Sequence, residues 1–306
     1  MSRRKKNAIL QRLEYSAYRA VSALAARGSD ESAARWGSRI GSVASKLLRG
    51  RAALAMRNLR ATFPDKSESE LRAIAAECWR HFGRELLGYI RMQRMPPDEI
   101  ARRCPFVNAE LLEEGIARGN GVVLLSAHFG GWEVGGLALT AGVKNVRTVA
   151  RQLDNEFLER DLARIRAQTG AEVIDRRHAA RPLMKGLAEN AVIVLLPDQA
   201  VQPREGILSP FLGRPAWTTS APAKMALRQG STIVFGFCIP AANGHRIEFE
   251  EPIRVDQLTE GERDPVALTA RINDVISRRI ASNPELWLWM HDRWKGTGES
   301  EIADGQ

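Results

Sequence analysis

An α/β fold, with a largely parallel central sheet flanked by helices and a helical N-terminal extension, is predicted for this 306-residue chain by three observations. From residue 119 onward, short apolar, β-branched runs alternate with segments of helical period, as in a parallel sheet covered on both faces. Before residue 97 the periodicity is helical alone, and Ser67 and Glu70 form a capping box ahead of one such segment. Charge divides the chain in the same way. Residues 1–103 hold 22 Lys and Arg against 10 Asp and Glu, net +12, whereas the remaining 203 residues are net −3. A basic arm on a nearly neutral body suits a partner carrying negative charge, such as anionic lipid or an acidic carrier protein.

The first helix is placed over 8–27, where Leu10, Leu13, Ala17, Val21 and Leu24 recur at spacings of three and four. Arg12, Arg19, Arg27 and the Arg3, Arg4, Lys5, Lys6 cluster surround that stripe with charge. Two readings stay open: an interfacial amphipathic helix with Tyr15 and Tyr18 at headgroup level, or an ordinary surface helix packed on the domain. The next helix covers 71–92, and Pro96 with Pro97 closes the helical region. The boundary therefore falls between 1–96, a helical membrane-associating region, and 97–306, the α/β domain. Strands are expected at 121–127, 146–151, 171–175, 191–197 and 231–239, and helices at 132–142, 155–169, 178–190 and 218–229. Two strand-like pieces within 245–255 extend the sheet edge, and a last helix covers 264–281. Neither an internal repeat nor a low-complexity linker breaks the chain.

Composition removes other classes. With 44% hydrophobic and 26% charged residues, disorder, collagen and coiled coil do not fit. Cys78, Cys104 and Cys238 include no CxxC pair, which points to three reduced thiols and away from a zinc ribbon or a disulfide framework. No run of 18 uncharged apolar residues exists for a membrane span, and the basic N-terminus lacks the apolar stretch of a signal peptide. The expected location is the cytoplasm or the cytoplasmic face of a membrane. Nucleic acid is not an expected partner, because the basic region has few interleaved aromatics and no binding motif. His81, His178 and His245 lack partners at metal spacing, so no metal is expected.

Active groups in such a sheet gather at the carboxyl ends of the strands. The first strand runs into His128, Phe129, Gly130, Gly131, Trp132 and Glu133. The glycines permit a sharp turn and close approach of a substrate to the backbone. Glu133, at the start of a helix, is expected to accept a proton from one imidazole nitrogen, which leaves the other free as a base. With no serine or cysteine nucleophile in the loop apart from Ser126, a His/Glu dyad activating a substrate hydroxyl is the expected machinery. The glycines at 130, 131, 135 and 136 do not fit a dinucleotide loop.

His128 and Glu133 match the HxxxxE signature of glycerolipid acyltransferases, and the wider pattern resembles the lipid A late acyltransferase family, the lauroyl and myristoyl transferases of Gram-negative bacteria. Four further stretches carry the resemblance: Arg151, Asp154 and Asn155 in 151–155; Leu196, Pro197, Asp198 and Gln199; 210–216 followed by Thr218 and Thr219; and 284–291, with Trp287, Trp289 and His291. It covers about residues 10–295. The resemblance implies acyl transfer from acyl-carrier protein or acyl-CoA, without a cofactor, to a hydroxyl of a glycolipid at the cytoplasmic face of the inner membrane. A lipid A precursor is the expected acceptor, and the protein is expected to be peripheral or monotopic.

On this reading His128 takes the acceptor proton, Glu133 supports the imidazolium, and Arg151 faces the oxyanion, with a salt bridge to Asp154 as its structural alternative. Asp198 and Gln199 bind acceptor polar groups, hold the Arg151 loop or cap a turn, and Gly213 and Thr218 shape the pocket as a tight turn and a helix start. The family usually has a glycine soon after the Asp-Gln pair, whereas here 200–205 holds none and the first is Gly206, and the N-terminus is more polar than in many members. Both departures bear on the acceptor, and relatives that acylate mannosylated phosphoinositides share much of the pattern. A different glycolipid or lysophospholipid acceptor, a thioesterase, and a non-catalytic binder of anionic membranes are the alternatives. Trp287, Trp289 and Trp294 are read as core packing, and Arg176, Arg177, Arg278 and Arg279 as a solvated face.

Overall fold

The computed structural model describes residues 8–150, 153–170, 172–175, 178–242 and 244–297. Five helices come first: α1 (Ala8–Arg27), α2 (Asp30–Leu47), α3 (Arg49–Thr62), α4 (Glu68–Met92) and α5 (Pro97–Arg103). The Ser67 hydroxyl caps α4 and the Glu70 carboxylate returns to the Ser67 N–H, so the expected capping box is formed. Beyond them lie β1 (Phe106–Val107), α6 (Ala109–Ala117), β2 (Val122–Leu125), α7 (Trp132–Gly142), β3 (Val146–Ala150), α8 (Glu156–Thr169), β4 (Glu172–Asp175), α9 (Ala180–Ala188) and β5 (Val192–Leu195). The chain finishes with β6 (Ile207–Phe211), β7 (Arg214–Thr218), α10 (Ala221–Gln229), β8 (Thr232–Ala241), β9 (Gly244–Ile253) and α11 (Pro265–Ser282).

Seven strands form one sheet in the order β1-β9-β8-β2-β5-β3-β4. All pairings are parallel except β8 with β9. β2 lies between β5 and β8, which explains its unbroken apolar sequence: each of its residues is buried on one face or the other. Val123, Leu125, Ile193 and Phe235 face a core shared with α3, α4, α9, α10, α11 and the C-terminal tryptophans. Val122, Leu124, Val192 and Val234 face a second core built with α5, α6 and α7. α3 and α4 are part of this body, since Ala55, Leu59, Leu71, Ala75 and Cys78 lie in the same core as Trp287 and Trp289.

Two expectations need correction. The pieces within 245–255 are one ten-residue strand, β9, and it lies inside the sheet because β1 pairs along its outer edge. The segment holding Gly213 and Thr218 is a β-hairpin. Leu212 and Gly213 both have positive φ, at 50° and 77°, the left-handed pair that joins β6 to β7 in a two-residue turn. Thr218 therefore ends a strand, and the helix starts only at Ala221, with Pro222 in its first turn. All three cysteines are buried free thiols, and the sulfurs of Cys104 and Cys238 lie 3.7 Å apart.

Candidate active site

β2 and β5 are neighbouring parallel strands, so the loops that leave their carboxyl ends emerge side by side. His128 lies on the first loop and Asp198 on the second. Asp198 is 1% exposed at its side chain and accepts three hydrogen bonds: from His128 Nδ1 at 2.9 Å, from the His128 backbone N–H at 3.0 Å and from the Trp287 indole N–H at 2.9 Å. The imidazole is 23% exposed. Its Nε2 lies 3.1 Å from the Gln199 amide nitrogen, and its ring packs against Trp132 with centroids 5.3 Å apart.

This arrangement fixes the tautomer. Nδ1 carries the proton that Asp198 accepts, so Nε2 presents its lone pair toward Gln199 and the open side. Burial opposes protonation of His128, but the charge of Asp198 and its hydrogen bond, with a smaller push from the charge of Glu133, raise the imidazole pKa. Burial likewise opposes ionisation of Asp198. The positive charge of His128 and the donated hydrogen bonds outweigh it, and the carboxyl stays below its ordinary range. The site thus holds a carboxylate and an imidazole whose free nitrogen is a base of raised strength.

The carboxylate on His128 is Asp198, where the sequence reading expects Glu133. Glu133 is exposed on the first turn of α7 and acts on His128 through its charge. The reason is geometric. α7 begins at Trp132 and carries Glu133 away from the loop, while strand adjacency delivers Asp198 from 70 residues along the chain. Gln199, read as an acceptor ligand or loop holder, is on the imidazole. Thr218 is fully buried, and its hydroxyl accepts from Arg293 at 2.5 Å and from Asn273 at 3.2 Å. Gly213 lies at the hairpin turn. Asp154 is exposed beside the start of α8, and Arg151, like Arg176 and Arg177, lies outside the described residues. Arg279 pairs with Glu248 at 2.7 Å and is largely covered, whereas Arg278 is exposed beside Asp274.

The loop itself is locked from two sides. Gly130 N–H donates to Leu286 O at 2.8 Å, Leu288 N–H donates to His128 O at 3.1 Å, and Gly131 N–H donates to Cys238 O at 2.9 Å. Gly130 has φ 59°, and a Cβ there would strike the Cys238 carbonyl. A Cβ on Gly131 would meet Glu85 Oε2 and the His245 ring. These glycines serve close packing of loop against body.

Sequence reasoning about residue chemistry set the C-terminal segment aside as packing, and only the resemblance singled it out. Trp287, Trp289 and Trp294 are indeed core, yet Trp287 also holds Asp198. His291 Nε2 accepts from Ala200 N–H at 3.1 Å, and burial keeps this imidazole below its ordinary pKa. Asn58 of α3 donates to Trp289 O and His291 O, both at 3.0 Å. Arg293 is fully buried, donates to Trp217 O at 2.7 Å and stacks over Phe211. Burial pushes its pKa down to about 10, against the pull of Asp198. The Trp-x-Trp spacing marks apolar anchoring and carries no sign of a hydrogen bond to a distant carboxylate. Among the described residues, no group of three or more His, Cys, Asp or Glu is arranged to hold a metal ion.

Comparison with known proteins identifies the family and several relatives. The family model described as bacterial lipid A biosynthesis acyltransferase matches residues 1–296. A phosphatidylinositol mannoside acyltransferase of Mycobacterium tuberculosis (strain CDC 1551 / Oshkosh) is 27% identical over 286 residues, covering 92% of this chain and 86% of that protein. The lipid A biosynthesis lauroyltransferase of Escherichia coli K12 is 24% identical over 264 residues, covering 85% and 84%. The palmitoleoyltransferase of the same organism is 24% identical over 271 residues, covering 87% and 86%. The crystal structure of the 1-acyl-sn-glycerophosphate acyltransferase PlsC from Thermotoga maritima aligns with a TM-score of 0.39 at 12% identity, over 78% of this chain and 98% of that one.

Proposed function

The chain belongs to the bacterial lipid A biosynthesis acyltransferase family, and from that premise we propose that it moves a fatty acyl chain from a thioester donor, acyl-carrier protein or acyl-CoA, to a hydroxyl of a glycolipid. The observation that carries the reading is the His128–Asp198 pair, with Nδ1 bound and Nε2 presented toward the open side. The acceptor hydroxyl gives its proton to Nε2 as its oxygen attacks the thioester carbonyl. Asp198 stabilises the resulting imidazolium at 2.9 Å, and the imidazolium returns the proton to the leaving thiolate. The exposed Glu133 adds a favourable charge. A lipid A precursor is the first acceptor. The 27% identity to a phosphatidylinositol mannoside acyltransferase supports a mannosylated phosphoinositide as the second.

A peripheral seat on an anionic inner-membrane surface fits the helical region. Trp36, Ile40, Val43 and Leu47 form one exposed stripe along α2, with Trp36 59% and Leu47 76% exposed. Arg39 stacks over Trp36, and Lys46, Arg49, Arg51 and Arg57 supply positive charge beside the stripe and on α3. Ile9, Leu10 and Leu13 of α1 are exposed as well. No described helix is long and apolar enough to cross a membrane.

A transfer assay tests the reading, with radiolabelled acyl-carrier protein or acyl-CoA and a membrane glycolipid extract, beside His128→Ala. Label is expected in lipid with the wild type and reduced about 10²–10⁴-fold in the variant, the usual worth of a general base. Label appearing only as free fatty acid identifies a thioesterase. Equal activity in the two proteins removes His128 as the base.

A further inference from the structure

We infer that Gln199 is the oxyanion donor of the transfer, held in the free protein on the same imidazole nitrogen that the acceptor hydroxyl will occupy. The inference rests on His128 as the base, and its test separates the two. A neutral imidazole that gives its Nδ1 proton to Asp198 has only an acceptor at Nε2, so the amide group 3.1 Å away must present its NH2. That NH2 sits where the attacking hydroxyl has to lie, within hydrogen-bond reach of Nε2. When the hydroxyl arrives, the amide is displaced by one hydrogen-bond length and regains a partner only if an acceptor appears beside the reacting carbon.

Five backbone N–H groups next to the imidazole are already engaged and are not available to that charge. His128 N–H is taken by Asp198, Phe129 N–H by Ala127 O, Gly130 N–H by Leu286 O, Gly131 N–H by Cys238 O and Ala200 N–H by His291 Nε2. Gln199 is half-buried on the short loop between Asp198 and Ala200, so its backbone is fixed at both flanks while its side chain can still turn. The O–H proton passes to Nε2, the hydroxyl oxygen bonds to the thioester carbon, and the carbonyl π pair moves onto its oxygen. The Gln199 NH2 donates to that oxyanion. On collapse the C–S bond breaks and the thiolate leaves with the proton from the imidazolium.

The test uses the full chain with Gln199→Ala and Gln199→Glu, and two probes built on the pantetheine arm shared by both donors. One is a dodecanoyl pantetheine analogue carrying a difluoromethylene ketone (CO–CF2) in place of the thioester CO–S, and the other is the matching thioether without a carbonyl. Gln199→Ala is expected to lower kcat about 10²-fold, the usual worth of one such donor, with donor and acceptor KM within threefold. It should weaken the ketone, whose hydrate, formed by addition of water, sets an oxygen at the oxyanion position, by a similar factor and leave the thioether unchanged. His128 should keep its Nδ1–H tautomer by nitrogen NMR. Gln199→Glu should lose more than Gln199→Ala, because it removes the donor and places a negative charge beside both Nε2 and the oxyanion. An unchanged kcat in Gln199→Ala overturns the proposal, as does a rise in acceptor KM alone. Equal loss of ketone and thioether binding, or loss of the Nδ1–H signal, overturns it too, because Gln199 would then be holding the imidazole. Activity surviving His128→Ala fails the base reading instead, with the Gln199 probes still reporting on the oxyanion.

Discussion

Two imidazole–carboxylate clusters flank the same turn, and they do opposite things with similar parts. On one side His128 and Asp198 meet at 2.9 Å, with the imidazole partly open. On the other, Glu85 of α4 accepts from His245 Nε2 of β9 at 2.9 Å and lies 3.7 Å from His81 Nδ1, with all three side chains covered. Burial would raise the Glu85 pKa, but the hydrogen bond from His245 and the nearby charges hold it below its ordinary range. Burial likewise lowers the His81 pKa. Gly131 packs directly on the sealed cluster. Carboxylate and imidazole together do not make a base. On the proposed reading the open edge of the first pair makes one, and the closed second cluster supports the backbone that aims it.

Asp198→Asn should break that contrast most. The variant keeps the shape and loses the charge that stabilises the imidazolium, and activity is expected to fall on the order of 10²–10³-fold. The pH profile carries the sign. The raised His128 pKa places the acid limb of kcat/KM above the ordinary imidazole value of about 6.5. Without the Asp198 charge that limb should move to lower pH. A limb that stays in place would assign the raised pKa to another group.

Glu85→Gln sharpens the other side. It should cost about 1–3 kcal/mol in denaturant unfolding at neutral pH, because a buried hydrogen bond to a charged group is weakened, and any loss of kcat should be under tenfold. Since the folded-state pKa of Glu85 is depressed, this contribution is present above the unfolded glutamate value of about 4.3 and lost as pH falls through the folded value. The stability gap between wild type and variant should therefore close in acid. A gap that persists there contradicts the ionised state of Glu85.

Glu133→Gln should be the smallest. Exposed and bonded to His128 by charge alone, Glu133 is expected to contribute less than tenfold to kcat, with a slight downward shift of the same acid limb. A loss as large as that of Asp198→Asn would restore the dyad read from the sequence.

The parallel core was legible because strands buried on both faces read as continuous apolar runs, and the expected strands at 121–127 and 191–197 contain β2 and β5. α1 matches its expected limits, and α4 starts at its capping box. α2 and α3 escaped the reading because α2 buries only Ala33, Gly37 and Gly41 on its inner face and leaves its large apolar residues outside. The β6–β7 hairpin hid behind prolines and a non-glycine left-handed residue, Leu212. At the site, His128 was readable from its strand-end position. Its partner was not, since a glutamate five positions away is visible in a sequence and a pairing set by strand order is not.

The indole that holds Asp198 belongs to a segment made long after the base. Trp287 is translated well over a hundred residues later than His128, and at 5–20 residues per second a ribosome needs on the order of ten seconds to cover that distance. Throughout that interval the growing chain has an imidazole and then a carboxylate without the cap that fixes them, while the basic helices of the first third have already left the exit tunnel. Assembly is therefore ordered in time: the basic helical end is available early, and the proposed chemistry becomes competent only when the tryptophan segment closes over the sheet.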